Sequence, residues 1–280
     1  MDFDFSEEEQ AISDLTRQIL EDKVTHERLR EMERNNIFFD RALWETLAES
    51  GIVGAAISEE HDGAGLGFLS VAAVLELVGE FAAPVPALET IVMGALPIQE
   101  FGSDSQRSEL IPRVSSGDLV LTAGLVSGDT VLVVEGKISG KIDFVPYGME
   151  AEIILIPTSD GVYLVDASDA GVERSAQETT TGQPQASITL NMVTGDRLGS
   201  ASTMEVVNWI RLRVDSGICS ILSGVCKASL DLAAEYAKIR HQFDRPIATF
   251  QAVSQRAGDA YIDTEAVRLT SRQAAWRIDA

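Results

Sequence analysis

The stretch EYAKIRHQFDRPIATFQAVSQ, residues 235–255, places a proline between two segments in which apolar residues recur with helical spacing. Pro246 disfavours the α conformation at Arg245 and has no amide hydrogen to donate. We therefore expect a turn around Pro246 that separates two long helices, over about residues 201–242 and 249–280. Two helices joined in this way are expected to pair antiparallel.

The sequence on either side of this stretch divides the chain into three parts. Residues 1–117 have helical apolar spacing, and Ser6 followed by Glu9 matches a capping box at the start of a first helix. Residues 118–198 contain short β-branched runs divided by Gly, Asp and Ser, which is typical of antiparallel strands. Helical spacing returns over residues 199–280. The predicted fold is α+β and multi-domain: an N-terminal helical domain, a middle antiparallel β domain and a C-terminal helical bundle.

The charge balance limits the classes of ligand. The 280 residues include 22 Lys and Arg against 44 Asp and Glu, a formal net charge of −22. Such an acidic chain is not expected to offer a broad face to the phosphates of a nucleic acid. Residues 1–204 hold 12 basic and 35 acidic side chains, whereas residues 205–280 hold 10 and 9. An anionic ligand is therefore expected to meet the last segment.

Several common sites have no support in the sequence. No GxGxxG follows a predicted strand and opens a helix, and no GxxxxGK[ST] phosphate loop is present. The three histidines lack metal-ligand spacing, so no zinc site is expected. Cys219 and Cys226 lie on one predicted helix, about 10 Å apart, which is too far for a disulfide. We expect both thiols on one buried helix face.

The start of the chain, MDFDFSEEEQ, lacks the basic segment and apolar core of a secretory signal. No uninterrupted apolar run approaches the length that spans a bilayer. The expected location is the cytoplasm, with no membrane partner.

Three stretches resemble the acyl-CoA dehydrogenase family. DRALWETLAESGIVG (residues 40–54), followed by SEEHDGAGLG (58–67), resembles its N-terminal signature, and residues 100–125 resemble its passage into the β domain. RHQFDRPIATFQAVSQRAGD (240–259) resembles the family's most specific motif, Arg-x-Gln-Phe-Gly followed by Ile and Phe-Gln. The resemblance covers essentially the whole chain. Because family members usually continue well beyond this point, we expect a natural continuation after Ala280.

The resemblance implies FAD as cofactor, held mainly by the adjacent subunit. The motif positions that contact its adenosine and pyrophosphate correspond to Arg240, Gln242, Phe243, Phe250 and Gln251. These residue types suit such a ligand, since a guanidinium pairs with pyrophosphate while aromatic rings and amides receive adenine.

The residues alone leave an alternative open for the same motif. Phe243 and Phe250 can be core residues, and Arg240 can pair with Glu235 or Asp244 on the surface. In that case the motif has no ligand.

The chain also departs from the family pattern. Residues 122–130, TAGLVSGDT, lack the Glu-Pro pair of the loop that holds the flavin ring. In IDFVPYG (142–148), Pro146 stands where the family has a Thr or Ser, and it has no hydroxyl or amide hydrogen to donate. Most family members place the catalytic Glu in a C-terminal region that these 280 residues do not include. In other members it aligns with Val214, and Asp215 is turned about 100° away on a helix. The prediction is therefore no catalytic residue and no metal ligand in this chain.

Three hypotheses remain open from the sequence. The favoured one is a non-catalytic subunit of a heterotetrameric (α2β2) acyl-CoA dehydrogenase, which contributes FAD contacts to a second subunit that carries the base. The others are a truncated chain of an ordinary homotetrameric enzyme and a non-enzymatic scaffold. The resemblance further implies an acyl-CoA thioester as substrate, by association a steroid-CoA, and electron-transferring flavoprotein as electron acceptor.

Overall fold

The computed structural model describes residues 5–125 and 131–280. The first helices are α1 (Glu7–Lys23), α2 (His26–Arg34), α3 (Arg41–Glu49), α4 (Phe68–Phe81), α5 (Leu96–Phe101) and α6 (Asp104–Ser115), with a π-helix over Leu88–Ala95. Ser6 Oγ accepts a hydrogen bond from the Glu9 amide at 3.2 Å, and Glu9 Oε2 accepts one from the Ser6 amide at 2.8 Å. The predicted capping box is therefore confirmed.

Short strands follow α6. They are β1 (Leu121–Ala123), β2 (Leu132–Val134), β3 (Lys137–Pro146), β4 (Ile153–Pro157), β5 (Val162–Asp166), β6 (Val172–Gln177), β7 (Gln185–Val193) and β8 (Gly195–Arg197). Within the described residues they form two sheets, in the orders β1-β4-β5-β8 and β2-β3-β7-β6. β1 and β4 pair in parallel, while the other neighbours are antiparallel.

The two sheets share an apolar core. Ile138 and Ile142 of β3, Ile188 and Leu190 of β7, and Ile154 of β4 are each at most 1% exposed and belong to one cluster. This alternation of buried positions is what period-2 side-chain geometry gives when one face of a sheet is covered. The predicted middle β domain is confirmed.

The last part of the chain consists of α7 (Thr203–Ile239), a hairpin of β9 (His241–Gln242) and β10 (Arg245–Pro246), and α8 (Gln251–Asp279). Helices, a β domain and long helices therefore follow one another as predicted, and the α+β fold class is confirmed. The domain limits 1–117, 118–198 and 199–280 stay a prediction.

By internal packing the chain forms two units, one of Met1–Val24, Phe68–Ala83 and Ser216–Ala280, the other of Thr25–Gly67 and Pro84–Asp215.

Within the first unit, α4 and α7 approach at backbone distance. A Cβ added to Gly79 would lie 2.0 Å from the Ile221 carbonyl oxygen, and one added to Gly224 would lie 1.8 Å from that of Glu76. Glycine is therefore required at this crossing.

The rest of α7 exposes an apolar stripe, which corrects the expectation for the cysteines. Side chains spaced alternately four and three residues apart are between 41% and 72% exposed; among them are Ile218, Leu222, Val225, Leu232, Tyr236 and Ile239. Cys219 and Cys226 lie beside this stripe as free, exposed thiols, so the prediction that they are buried is wrong. Their seven-residue spacing does place both on one helix face, but that face is uncovered.

By length and composition alone, α7 is long and apolar enough to cross a membrane, and a single such helix is weak evidence for a span.

Candidate cofactor-contacting site

A tight hairpin joins α7 to α8. β9 and β10 pair antiparallel, with Gln242 opposite Arg245 and His241 opposite Pro246. The two residues between the strands, Phe243 and Asp244, have φ values of 53° and 63°. A two-residue hairpin turn of this kind needs positive φ at both central positions, a conformation that costs a non-glycine residue roughly 1 kcal/mol.

Backbone and ring contacts hold the hairpin in place. The Arg240 amide donates to the Tyr236 carbonyl at 2.9 Å, and the Ile247 amide donates to the Arg240 carbonyl at 2.8 Å. The Phe243 and Phe250 rings meet edge to face at 6.2 Å, and the Arg245 guanidinium lies 4.2 Å from the centre of the Phe250 ring. The chain after α7 is therefore anchored without using the Arg240 side chain.

The predicted contact residues of the hairpin are exposed. Phe243 is 86% exposed, Gln242 and Gln251 are exposed, and Phe250 is half-buried. The Arg240 guanidinium makes no hydrogen bond or ion pair with any residue that the structure describes.

For Arg240 and Phe243 the structure differs from the residue-only alternative, whereas Phe250 is half-buried against Phe243 and Arg245. Glu235, one of the two suggested partners of Arg240, pairs with Lys238. Phe243 is not in a core. The hairpin instead presents a free guanidinium, an open aromatic ring and two side-chain amides, which fit the pyrophosphate and adenine of a dinucleotide.

The segment that contains Pro146 has its polar groups already paired. The Pro146 carbonyl accepts a hydrogen bond from Thr122 Oγ1 at 2.6 Å, and the Tyr147 amide donates to the Pro184 carbonyl at 2.9 Å. Tyr147 has a φ of 49°, is only 4% exposed and meets the Phe39 ring edge to face at 6.1 Å. This segment leaves no backbone donor for a flavin ring at Pro146 or Tyr147.

The other segment singled out from the sequence, TAGLVSGDT, is described only over residues 122–125. The part of that expectation that falls on residues 126–130 lies outside the described residues.

A buried carboxyl that the sequence analysis missed lies near Tyr147. Glu89, in the π-helix, is 2% exposed, and its Oε1 accepts a hydrogen bond from Gln183 Nε2 at 2.8 Å. Burial raises the pKa of the Glu89 carboxyl to about 7. The signal that could have identified it is a lone acid in the apolar run PVPALETIVMGALPI, residues 84–98.

A pocket of about 730 Å³ lies in the second unit, between the ends of β1 and β4 and the start of α7. Its polar lining includes Thr158, Ser202, Thr203, Arg197 and Arg211. The Arg197 guanidinium donates hydrogen bonds to three backbone carbonyls. The exposed Arg211 donates one hydrogen bond, to the Leu125 carbonyl at 3.2 Å. Hydroxyls, a helix N-terminus and a guanidinium form a polar wall that can receive an anionic group. The five predicted contact residues do not line it.

Neither of the two positions compared with the family's catalytic base holds a buried carboxyl. Val214 is half-buried and Asp215 is exposed. Among the residues that the structure describes, no three His, Cys, Asp or Glu side chains are grouped so as to hold a metal ion.

Comparisons with known proteins identify the family of the chain. The family model described as "Acyl-CoA dehydrogenase, N-terminal domain" matches residues 6–118, and "Acyl-CoA dehydrogenase, C-terminal domain" matches residues 199–280. The acyl-CoA dehydrogenase FadE27 of Mycobacterium tuberculosis is 36% identical over 289 residues, covering 99% of this chain and 78% of FadE27.

Solved structures give the same result. A chain of the ChsE4-ChsE5 complex from Mycobacterium tuberculosis has a TM-score of 0.93 at 35% identity, covering 100% of this chain and 80% of that one. A variant of the Tcur3481-Tcur3483 steroid ACAD has a TM-score of 0.86 at 34% identity, covering 96% and 77%. The fold, the matching family models and these identities together show that the chain belongs to the acyl-CoA dehydrogenase family.

Proposed function

We propose that this chain is the non-catalytic subunit of a heteromeric acyl-CoA dehydrogenase and contacts FAD that is seated on a partner subunit. Its family consists of FAD-dependent oxidoreductases of lipid metabolism. When bound, FAD supplies the redox chemistry, by accepting the hydride that leaves the β carbon of an acyl-CoA thioester. The role of this chain is to bind and orient the cofactor.

The observation that carries the proposal is the exposed hairpin. Arg240 is the charged contact to the pyrophosphate, Gln242 and Gln251 supply amides, and Phe243 and Phe250 supply aromatic surface for the adenosine. The Phe243 ring is 86% exposed on a turn with two positive φ values, a backbone conformation that costs of order 1 kcal/mol for each non-glycine residue. Contacts from a ligand or partner that covers this ring offset that cost.

The Pro146 segment supports the view that the flavin ring is held elsewhere. In this chain the Pro146 carbonyl and the Tyr147 amide are paired internally, and Tyr147 is packed against Phe39. Val214, at the position compared with the base of some family members, cannot accept a proton, and in this proposal the partner abstracts the proton from the substrate.

The relatives support a particular assembly and substrate class. One solved relative is a complex of ChsE4 with ChsE5 and another is a steroid ACAD of two named components. By analogy we assign this chain to an α2β2 heterotetramer that acts on an acyl-CoA thioester, with a steroid-CoA as the first candidate. Electron-transferring flavoprotein is the proposed acceptor, and the cytoplasm the proposed location.

The experiment compares the chain alone with the chain co-expressed with an acyl-CoA dehydrogenase from a neighbouring reading frame. The isolated chain is expected to be colourless and inactive, and the complex to carry flavin absorbance and oxidise acyl-CoA. Stoichiometric FAD or turnover in the isolated chain would favour the homotetrameric alternative. A complex without flavin would favour the scaffold.

A further inference from the structure

The hairpin between α7 and α8 carries a second arginine, to which the proposed function gives no role. Arg245, on β10, is exposed, and its guanidinium carbon lies 4.2 Å from the centre of the Phe250 ring. Among the described residues, the Arg245 side chain makes no hydrogen bond or ion pair besides this ring contact. The charge of Arg245 is therefore as free of a carboxylate partner as that of Arg240.

The strand register brings both arginines to one face of the hairpin. Arg245 lies directly opposite Gln242, and the Ile247 amide donates to the Arg240 carbonyl at 2.8 Å. In an antiparallel pair, directly opposite residues share a face, as do residues two apart along one strand. Arg240, Gln242 and Arg245 therefore belong to the same face. The two arginines are diagonal neighbours there, about 7 Å apart and within reach of one ligand.

Nearby acidic groups do not neutralise this pair. Glu235 pairs with Lys238. Asp244, in the turn itself, is exposed and forms no ion pair within the part of the chain that the structure describes. Acidic side chains outnumber basic ones by 44 to 22 in the whole chain, yet two neighbouring guanidiniums here lack a carboxylate. Such a face attracts a ligand with two negative charges close together.

The pyrophosphate of FAD has this charge pattern, with one negative charge on each of two linked phosphoryl groups. A guanidinium suits each of them, because its planar fork of N–H donors matches phosphate oxygens. With Arg240 alone, one of the two charges would lack a cation from this hairpin. Arg245 is the cation on the same face that can meet it.

We infer that Arg245 is a second contact to the FAD pyrophosphate, beside Arg240, and that the hairpin recognises a diphosphate with two guanidiniums. The inference rests on the proposed function, since it takes the partner's FAD to lie against the hairpin. Because Arg245 covers one face of Phe250, the adenine is left mainly with the Phe243 ring, which is 86% exposed.

The test is the affinity of the flavin-free complex with the partner subunit for FAD, titrated by flavin fluorescence. Arg245→Ala is expected to weaken FAD binding about tenfold, as loss of a charge-assisted contact would. Arg245→Lys should recover part of this loss, because it keeps the charge without the planar fork. The melting temperature of each flavin-free complex checks that the variants fold.

A matched control removes the same charge far from the hairpin. Arg277 is exposed in the last turn of α8, roughly 39 Å along the helix from Gln251. Arg277→Ala is therefore expected to leave FAD affinity unchanged. An equal loss in Arg277→Ala and Arg245→Ala would overturn the inference, because net charge alone would then account for both.

A double-mutant cycle separates a direct contact from an effect through the ring. If Arg245 contacts the pyrophosphate, Arg245→Ala should cost about tenfold in the Phe250→Leu background as well. If it acts only by holding Phe250, that loss should vanish there, and the inference would be wrong.

Arg240→Ala distinguishes this inference from the proposed function on which it rests. Weakened FAD binding in Arg240→Ala with full affinity in Arg245→Ala would overturn the second contact alone. Full affinity in both variants would overturn the proposed function as well.

Discussion

The Arg240 hairpin and the segment around Pro146 show opposite ways of using polar and aromatic groups. In the hairpin, the Arg240 guanidinium is free among the described residues and the Phe243 ring is 86% exposed. At Pro146 the carbonyl is paired, and the following Tyr147 is buried with its amide bonded to Pro184. The first region leaves its polar and aromatic groups exposed, whereas the second pairs or packs its groups within the chain.

This difference carries the proposed division of labour. Contacts to a dinucleotide need groups that the fold leaves unused, and the hairpin has them. Holding a flavin ring at this segment would need free hydrogen-bond donors at Pro146 and Tyr147. Pro146 has no amide hydrogen, and the Tyr147 amide already donates to the Pro184 carbonyl. A chain can therefore retain its contribution to a neighbour's cofactor while losing the means to hold its own.

The largest expected effect is in the segment around Pro146, whose polar groups are paired within the chain. Tyr147→Ala removes a ring that is 96% buried and packed against Phe39, so the free energy of unfolding should fall by roughly 3–5 kcal/mol. Urea unfolding of the isolated chain measures it, with Tyr147→Phe as a control that keeps the ring. A loss below about 1 kcal/mol for the alanine variant would contradict the packing described here.

Glu89→Gln is expected to have the next largest effect, and it depends on pH. The pKa of Glu89 is raised from 4.5 to about 7, so the folded chain binds a proton that the unfolded chain releases between these values. Wild-type stability therefore falls as pH rises from 4.5 to 7, by up to about 3 kcal/mol. The variant should exceed the wild type by up to that amount at pH 8 and match it near pH 4.5.

Thermal melts at pH 5 and pH 8 measure this difference. Equal gains for Glu89→Gln at both pH values would show that its effect comes from packing, not from ionisation.

The hairpin should tolerate truncation. Phe243→Ala removes a ring that contacts Phe250 edge to face but is mostly in solvent, so the isolated chain should lose about 1 kcal/mol or less. The same urea titration measures this change beside Tyr147→Ala. If the two variants cost the same, the contrast between the regions fails.

Local features of the fold were accessible from the sequence, because they depend on neighbouring residues. The Ser6–Glu9 capping box and the turn before Pro246 follow from short-range chemistry, and the structure contains both. The strands of the β domain were likewise signalled by their β-branched runs.

Features that depend on contacts between residues far apart in the chain could not be predicted from the sequence. Whether a seven-residue spacing such as Cys219 to Cys226 faces a core or solvent depends on what else packs there, and that expectation was wrong. The bond from Gln183 to Glu89 joins residues 94 positions apart, which periodicity does not reveal. The π-helix that carries Glu89 was not predicted either. For the site, the resemblance to the family suggested five contact residues, and only the structure shows how exposed each of them is.

The central claim is that Arg240 contacts FAD across a subunit interface. The stability of the isolated chain should change by less than about 0.5 kcal/mol in Arg240→Ala, since the guanidinium has no partner among the described residues. In the complex, the same change removes a charge-assisted contact of roughly 1.5–3 kcal/mol, about ten- to a hundredfold in FAD affinity. Lysine should restore part of it, because it keeps the charge without the planar fork.

The deciding measurement is FAD retained per heteromer after desalting, compared between wild type, Arg240→Ala and Arg240→Lys, with the melting temperature of the flavin-free complex as the folding control. We expect a flavin deficit in Arg240→Ala, partial recovery in Arg240→Lys and an unchanged flavin-free melt. Full FAD content in Arg240→Ala would contradict a contact between Arg240 and FAD.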